Sequence, residues 1–247
     1  TVKRFHKGAF YLAEQLNLDV VPFYIHGNSE VMPKGDFIVY DGRLSSKIGK
    51  RILASDLSFG ATYSERTKAI SKYFKSEFDV FRLERENENY FKKKLFWSYL
   101  YKEEDVINEV KADFNQNKTT YHALNSYFKS NEKIVHLADN YGQIDFILAL
   151  QQTGRKIHSV IENDEKRAIA QSNYLNVHRN ITFTNELIIE SKLLISKKID
   201  KNDLDFNKLA EYSEIILIKN TESIVALETL GFRIKTQLNQ ITYFVKN

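Results

Sequence analysis

The sequence predicts an α/β protein, on three observations. From residue 133 onward, short apolar runs alternate with helix-length segments, the rhythm of a mostly parallel sheet covered by helices on both faces. Six of the nine glycines and both prolines lie at or before Gly60, so turn punctuation is concentrated at the start of the chain. Between these regions, residues 64–129 lack both glycine and proline and carry aromatics at close intervals among charged residues, a helical texture. The division that follows is 1–60, a helical connector at 61–130, and a doubly wound domain at 131–247.

The elements follow in order. Ala9, Leu12, Ala13 and Leu16 recur at helical spacing, so residues 5–16 read as a helix with one apolar face. Residues 20–25 read as a short buried strand that exits at Gly27-Asn28. Two strands, 37–40 and 44–48, flank Asp41-Gly42, a hairpin turn signal. Helix, strand and hairpin together are too small for an independent domain. In the last region, strands are expected at 133–137, 156–162, 181–184 and 214–218. Helices are expected at 143–152, 164–176 and 221–230, and a closing hairpin at 233–238 and 240–245. Residues 139–142, Asp-Asn-Tyr-Gly, form the first loop.

Composition excludes several function classes. Hydrophobic residues make up 43% of the 247, enough to bury a core. The absence of cysteine removes disulfides, thiolate chemistry and cysteine-held metal, and neither a metal site nor catalytic residues can be assigned from the residue pattern. No apolar run reaches the roughly 18–20 residues that cross a bilayer. The net charge of +4 is spread evenly, with no basic arm, so no nucleic-acid partner is expected.

Residues 3–13 (Lys-Arg-Phe-His-Lys-Gly-Ala-Phe-Tyr-Leu-Ala), the Val-Pro strand at 20–27 and Gly-Lys-Arg-Ile at 49–52 resemble the C-terminal half of the phospholipid/glycerol acyltransferase family. Phe5, Gly8 and Ala9 match the helix start of that family, and Val21-Pro22 the strand after it. The resemblance implies a fragment of a bacterial lipid acyltransferase, moving an acyl chain from a thioester donor to a glycerol-phosphate-type lipid at the cytoplasmic face of a membrane. It implies Lys7, Gly8 and Pro22 as the substrate-side positions, Lys7 standing at a helix start where anions are favoured. The His-x-x-x-x-Asp and Pro-Glu-Gly-Thr-Arg motifs of the family do not occur, so residues 1–60 read as a truncated piece that contacts donor and acceptor only through a missing N-terminal half.

The stretch 133–142, Lys-Ile-Val-His-Leu-Ala-Asp-Asn-Tyr-Gly, resembles the cofactor loop of class I methyltransferases, which implies a Rossmann-like domain with S-adenosylmethionine as cofactor. Gly142 aligns with the last glycine of the family's Gly-x-Gly-x-Gly turn, and Glu162, twenty residues on, with the acid that holds ribose hydroxyls. Ala138 and Asn140 replace the other two glycines and His136 the usual acid, which puts close backbone approach of the cofactor in question. An active methyltransferase on a small or lipid-linked substrate is the alternative to the acyltransferase reading. Residues 90–102 mix aromatics with four lysines, a segment suited either to packing its rings inward or to peripheral contact with an anionic membrane.

Overall fold

The chain divides after Asn87 into two units, residues 1–87 and 88–247, whereas the sequence suggests boundaries near 60 and 130. The helical connector has no core of its own: its first helix packs with the first unit and the rest with the second. The computed structural model describes residues 5–32, 39, 41–178, 180–190, 192–197, 206–218, 222–238 and 240–246.

The first unit runs α1 (Lys7–Gln15), β1 (Phe23–His26), α2 (Asn28–Val31), β2 (Ser45–Ile48) and α3 (Tyr63–Leu83). β1 and β2 pair antiparallel, Phe23 opposite Ile48. The strand expected at 37–40 lies outside the described residues except for Val39. Helix α3 starts at a capping box: the Thr62 hydroxyl accepts from the Glu65 amide and the Glu65 carboxylate accepts from the Thr62 amide, satisfying two orphan donors at once. α1 lies on α3, with Phe10, Ile52 and Ile70 as a small core. Arg66 of α3 is buried and donates to the carbonyls of Leu53, Ala54 and Asp56, fastening the segment before the helix to its first turns.

The second unit runs α4 (Lys92–Trp97), α5 (Glu104–Ala123), β3 (Lys133–Ala138), α6 (Gln143–Gln151), β4 (Lys156–Ile161), α7 (Asp164–Gln171), β5 (Ile181–Thr184), β6 (Lys192–Ile195), α8 (Phe206–Leu209), β7 (Glu214–Ile218), α9 (Glu222–Thr229), β8 (Phe232–Leu238) and β9 (Ile241–Lys246). Seven strands form one sheet in the order β5-β4-β3-β6-β7-β9-β8. The first five are parallel, and β9 runs antiparallel to both neighbours. This is an α/β fold with a mixed central sheet and helices on both faces.

Burial on both faces explains the strand sequences. Leu193, Leu194 and Ile195 of β6 and Ile215, Ile216 and Leu217 of β7 are all buried, as continuous apolar runs in parallel strands require. Helix α6 is buried on every side, as a core helix is, and with α5 it covers one face of the sheet. Leu209 of α8 and Leu227 of α9 pack on the opposite face. Helix α7 is shorter than the expected 164–176. After its last residue the buried Asn173 side chain accepts from the Leu175 amide at 3.0 Å and donates to Ser98, which redirects the chain into a 3₁₀ turn at Tyr174–His178. In the basic aromatic segment, Leu95 and Tyr99 are buried and Phe96 packs edge-on to Phe114. Trp97, Leu100 and Tyr101 stay exposed, with the Lys93 ammonium 4.7 Å from the Trp97 ring. Among the described residues no helix is long and apolar enough to cross a membrane.

Candidate functional site

The helices that follow β3 and β6 cover opposite faces of the sheet, so these adjacent strands flank a topological switch point. Open α/β sheets bind ligands in the crevice outside the carboxyl ends of such strands. Four segments end at that edge: Ala138 leads into 139–142, Ile161 into Glu162, Thr184 into 185–190, and Ile195 into Ser196 and Lys197.

The loop after β3 is held by its own side chains. The Gly142 amide donates to Asn140 Oδ1 at 2.7 Å, and the Tyr141 amide to Gln143 Oε1 at 2.9 Å. The Tyr99 hydroxyl donates to the Tyr141 carbonyl at 2.8 Å. Gly142 caps α6 with φ of 86°, and a Cβ there would lie 3.0 Å from Ala170 Cβ and from the Phe183 ring. Positive φ and close packing both demand glycine here. On the rim, Lys166 donates to Asp139 at 2.8 Å. Burial works to lower the Lys166 pKa, but the hydrogen bond and charge of Asp139, with Glu109 and Tyr141, outweigh it and hold the ammonium above its ordinary value. Lys197 Nζ lies 2.6 Å from Glu162 Oε1, with most of the Glu162 side chain exposed.

Beneath the edge runs a chain of buried polar groups. Ser196 Oγ is 2.7 Å from His136 Nε2, and His136 Nδ1 is 2.7 Å from Asp145 Oδ1. Ser159 Oγ is 2.9 Å from Asp145 Oδ2. His136, Asp145 and Ser159 are fully buried, while Ser196 is partly open at the strand end. Burial, followed by the charges of Asp145 and Asp113, pushes the Tyr99 hydroxyl well above its ordinary pKa.

Of the expected site residues, Gly142 and Glu162 come to the same sheet edge. Lys7, Gly8 and Pro22 belong to the first unit. Lys7 and Gly8 are exposed at the start of α1, and a Cβ on Gly8 would meet nothing within 4 Å. Pro22 is buried, and its carbonyl accepts from the Gly49 amide at 2.8 Å. Asp145, Ser159, Ser196 and Lys197 were not singled out by sequence. A signal existed for one of them: an aspartate in an otherwise apolar helix start demands a buried partner.

No known family model matches the chain, and no curated protein matches it. Solved structures do. A precorrin-6y C5,15-methyltransferase from Geobacter metallireducens matches with 11% identity over 53% of this chain and 89% of its own, at a TM-score of 0.41. A TehB-like SAM-dependent methyltransferase from Corynebacterium glutamicum matches with 8% identity over 57% and 97%, at 0.42. A ribosomal protein L11 methylase from Lactobacillus delbrueckii subsp. bulgaricus matches with 9% identity over 53% and 79%, at 0.40. Likeness this distant names no substrate.

The acyltransferase expectation is corrected by these comparisons: no acyltransferase family matches residues 1–60 or any other stretch, and the three similar structures named above are methyltransferases. The residues behind that resemblance have local work instead. Phe5 packs against the rings of Phe10 and Phe74, and Pro22 lies against Gly49. Three short elements in order are accounted for by helix and strand packing.

Proposed function

We propose that the second unit is a SAM-dependent methyltransferase acting on a small or lipid-linked substrate at the carboxyl edge of its sheet. The observation that carries this reading is Glu162: an exposed carboxylate at the end of β4, beside the β3–β6 switch point, in a sheet of methyltransferase-type order. Its acceptor oxygens suit a pair of ribose hydroxyls, so the residues fit the nucleoside half of the cofactor. S-adenosylmethionine, when bound, supplies a methyl carbon on a sulfonium as electrophile. Glu162 orients the nucleoside, the 139–142 loop lines the crevice, and Lys166 holds that loop through Asp139. Lys197 donates to Glu162 Oε1 at 2.6 Å and fixes the carboxylate in place.

The test is calorimetric titration of the full chain with S-adenosylmethionine and with its demethylated product. Binding is expected, and Glu162→Ala should weaken it by about 10-fold or more, since hydrogen bonds to a charged group contribute roughly 1.5–3 kcal/mol. A second reading has its own observation. The Tyr141 and Gly142 amides, which a ligand would approach, are already satisfied by Gln143 and Asn140. A wild-type protein that shows no binding at millimolar ligand would establish this reading, a methyltransferase-type fold without its cofactor.

A further inference from the structure

The chain of buried groups at the switch point has a definite direction. An ionised Asp145 only accepts hydrogen bonds, so both its partners donate to it: Ser159 Oγ–H to Oδ2 and His136 Nδ1–H to Oδ1. With its proton on Nδ1, the neutral imidazole presents Nε2 as an acceptor. Ser196 is then the donor to Nε2, and both lone pairs of its oxygen are left free of the histidine. Ser196, alone among the four, is partly open, and it sits where ligands enter a sheet of this kind. A hydroxyl hydrogen-bonded to an imidazole, itself oriented by a buried carboxylate, is the arrangement that activates a serine nucleophile.

We infer that Ser196 is a base-activated nucleophile and that the second unit hydrolyses a carboxylic ester admitted to the β3–β6 crevice. The reaction uses only ester and water. Ser196 Oγ attacks the carbonyl carbon and forms an O–C bond while its proton passes to His136 Nε2. The carbonyl π pair moves to oxygen and returns as the bond to the alkoxy group breaks, and the departing oxygen takes the proton from Nε2. Water then repeats the sequence on the acyl-serine: His136 removes its proton, its oxygen bonds the carbonyl carbon, and Ser196 leaves as the protonated hydroxyl with release of the carboxylic acid. The Asp145 carboxylate, 2.7 Å from His136 Nδ1, stabilises the transient imidazolium. The ester and S-adenosylmethionine would enter the same crevice, and the labelling test needs no S-adenosylmethionine, so each reading can fail without the other.

The experiment is to treat the full chain with a fluorophosphonate probe and locate adducts by peptide mass spectrometry, with p-nitrophenyl acetate as the turnover substrate. One adduct on Ser196 is expected. Ser196→Ala should abolish it and the associated ester turnover, and His136→Gln should slow labelling by about 100-fold or more. If His136→Gln loses its circular dichroism spectrum, Ser159→Ala decides: loss of one Asp145 partner should slow labelling several-fold. A wild-type protein that leaves Ser196 unmodified overturns the inference. So does labelling of Ser196 at an unchanged rate in folded His136→Gln or in Ser159→Ala.

Discussion

His136 Nδ1 and Asp145 Oδ1 lie 2.7 Å apart with neither side chain exposed. The pair joins strand β3 to helix α6 from opposite sides of the loop that closes over the sheet edge. Breaking such a pair from one side strands the other partner in a dry interior, which costs more than the pair contributes net. Asp145→Ala leaves both the imidazole Nδ1–H and the Ser159 hydroxyl without an acceptor. Two stranded donors at roughly 1–3 kcal/mol each give an expected loss of about 2–6 kcal/mol, read from urea unfolding of the second unit. A loss below about 1 kcal/mol would mean that the surroundings rehydrate and the network does not fasten the sheet.

Arg155 makes a similar prediction at the other end of the strands. It is 1% exposed and donates to the carbonyls of Phe128 at 2.8 Å and Leu148 at 3.1 Å and to Asn125 Oδ1 at 2.8 Å. These acceptors lie in the turn before β3 and the end of α6. Arg155→Met keeps the volume and removes the donors, so the Phe128 carbonyl and Asn125 Oδ1 lose this partner at roughly 1–3 kcal/mol each, while the Leu148 carbonyl keeps the Gln152 amide. Hydrogen exchange should rise over residues 124–132, and unchanged protection there would show that the turn holds without the guanidinium.

Gly142→Ala separates packing from ligand binding at a residue where both meet. The added methyl meets Ala170 and Phe183 at 3.0 Å with the backbone at φ of 86°. A loss of about 1–3 kcal/mol is expected, with or without S-adenosylmethionine present. A variant as stable as the parent would show that the loop shifts freely, and that its glycine is there for the crevice.

Glu214 carries a pH dependence. Burial alone would push its carboxyl up, but the Tyr243 hydroxyl at 2.6 Å and the Lys192 ammonium at 2.9 Å hold it below its ordinary value. A carboxyl with a depressed folded-state pKa stabilises the fold above its unfolded value, near 4.5, and loses that contribution as pH falls through the folded value. Glu214→Gln should therefore flatten the acid limb of second-unit stability below about pH 4.5 while changing it less steeply elsewhere. Unfolding midpoints measured at pH 7 and pH 3.5 would decide, and parallel acid limbs in parent and variant would place the dependence elsewhere.

Much of the second unit was legible because its signals are local. The apolar runs of β3, β4, β5 and β7 are bounded by turn residues. Strand β6 escaped notice for the opposite reason. Its four residues, Lys-Leu-Leu-Ile, sit among lysines and isoleucines with no turn signal before them, and so short an apolar run does not separate strand from helix by periodicity. Only its ladders to β3 and β7 make it a strand. In the first unit, matching three short elements to a family overread them, since Phe5 and Pro22 are explained by their neighbours in the fold.

The sequence by itself determined the α/β class, the order of most elements, and the placing of Gly142 and Glu162 at the ends of successive units of the sheet. These depend on patterns within about ten residues, where periodicity and turn chemistry act. Tertiary structure alone decided where the units divide, that Lys197 bridges Glu162 across 35 positions, and that Ser196 meets His136 across 60. Those meetings follow from strand order and register, which are set by the global burial of both sheet faces and which no local stretch of the chain encodes.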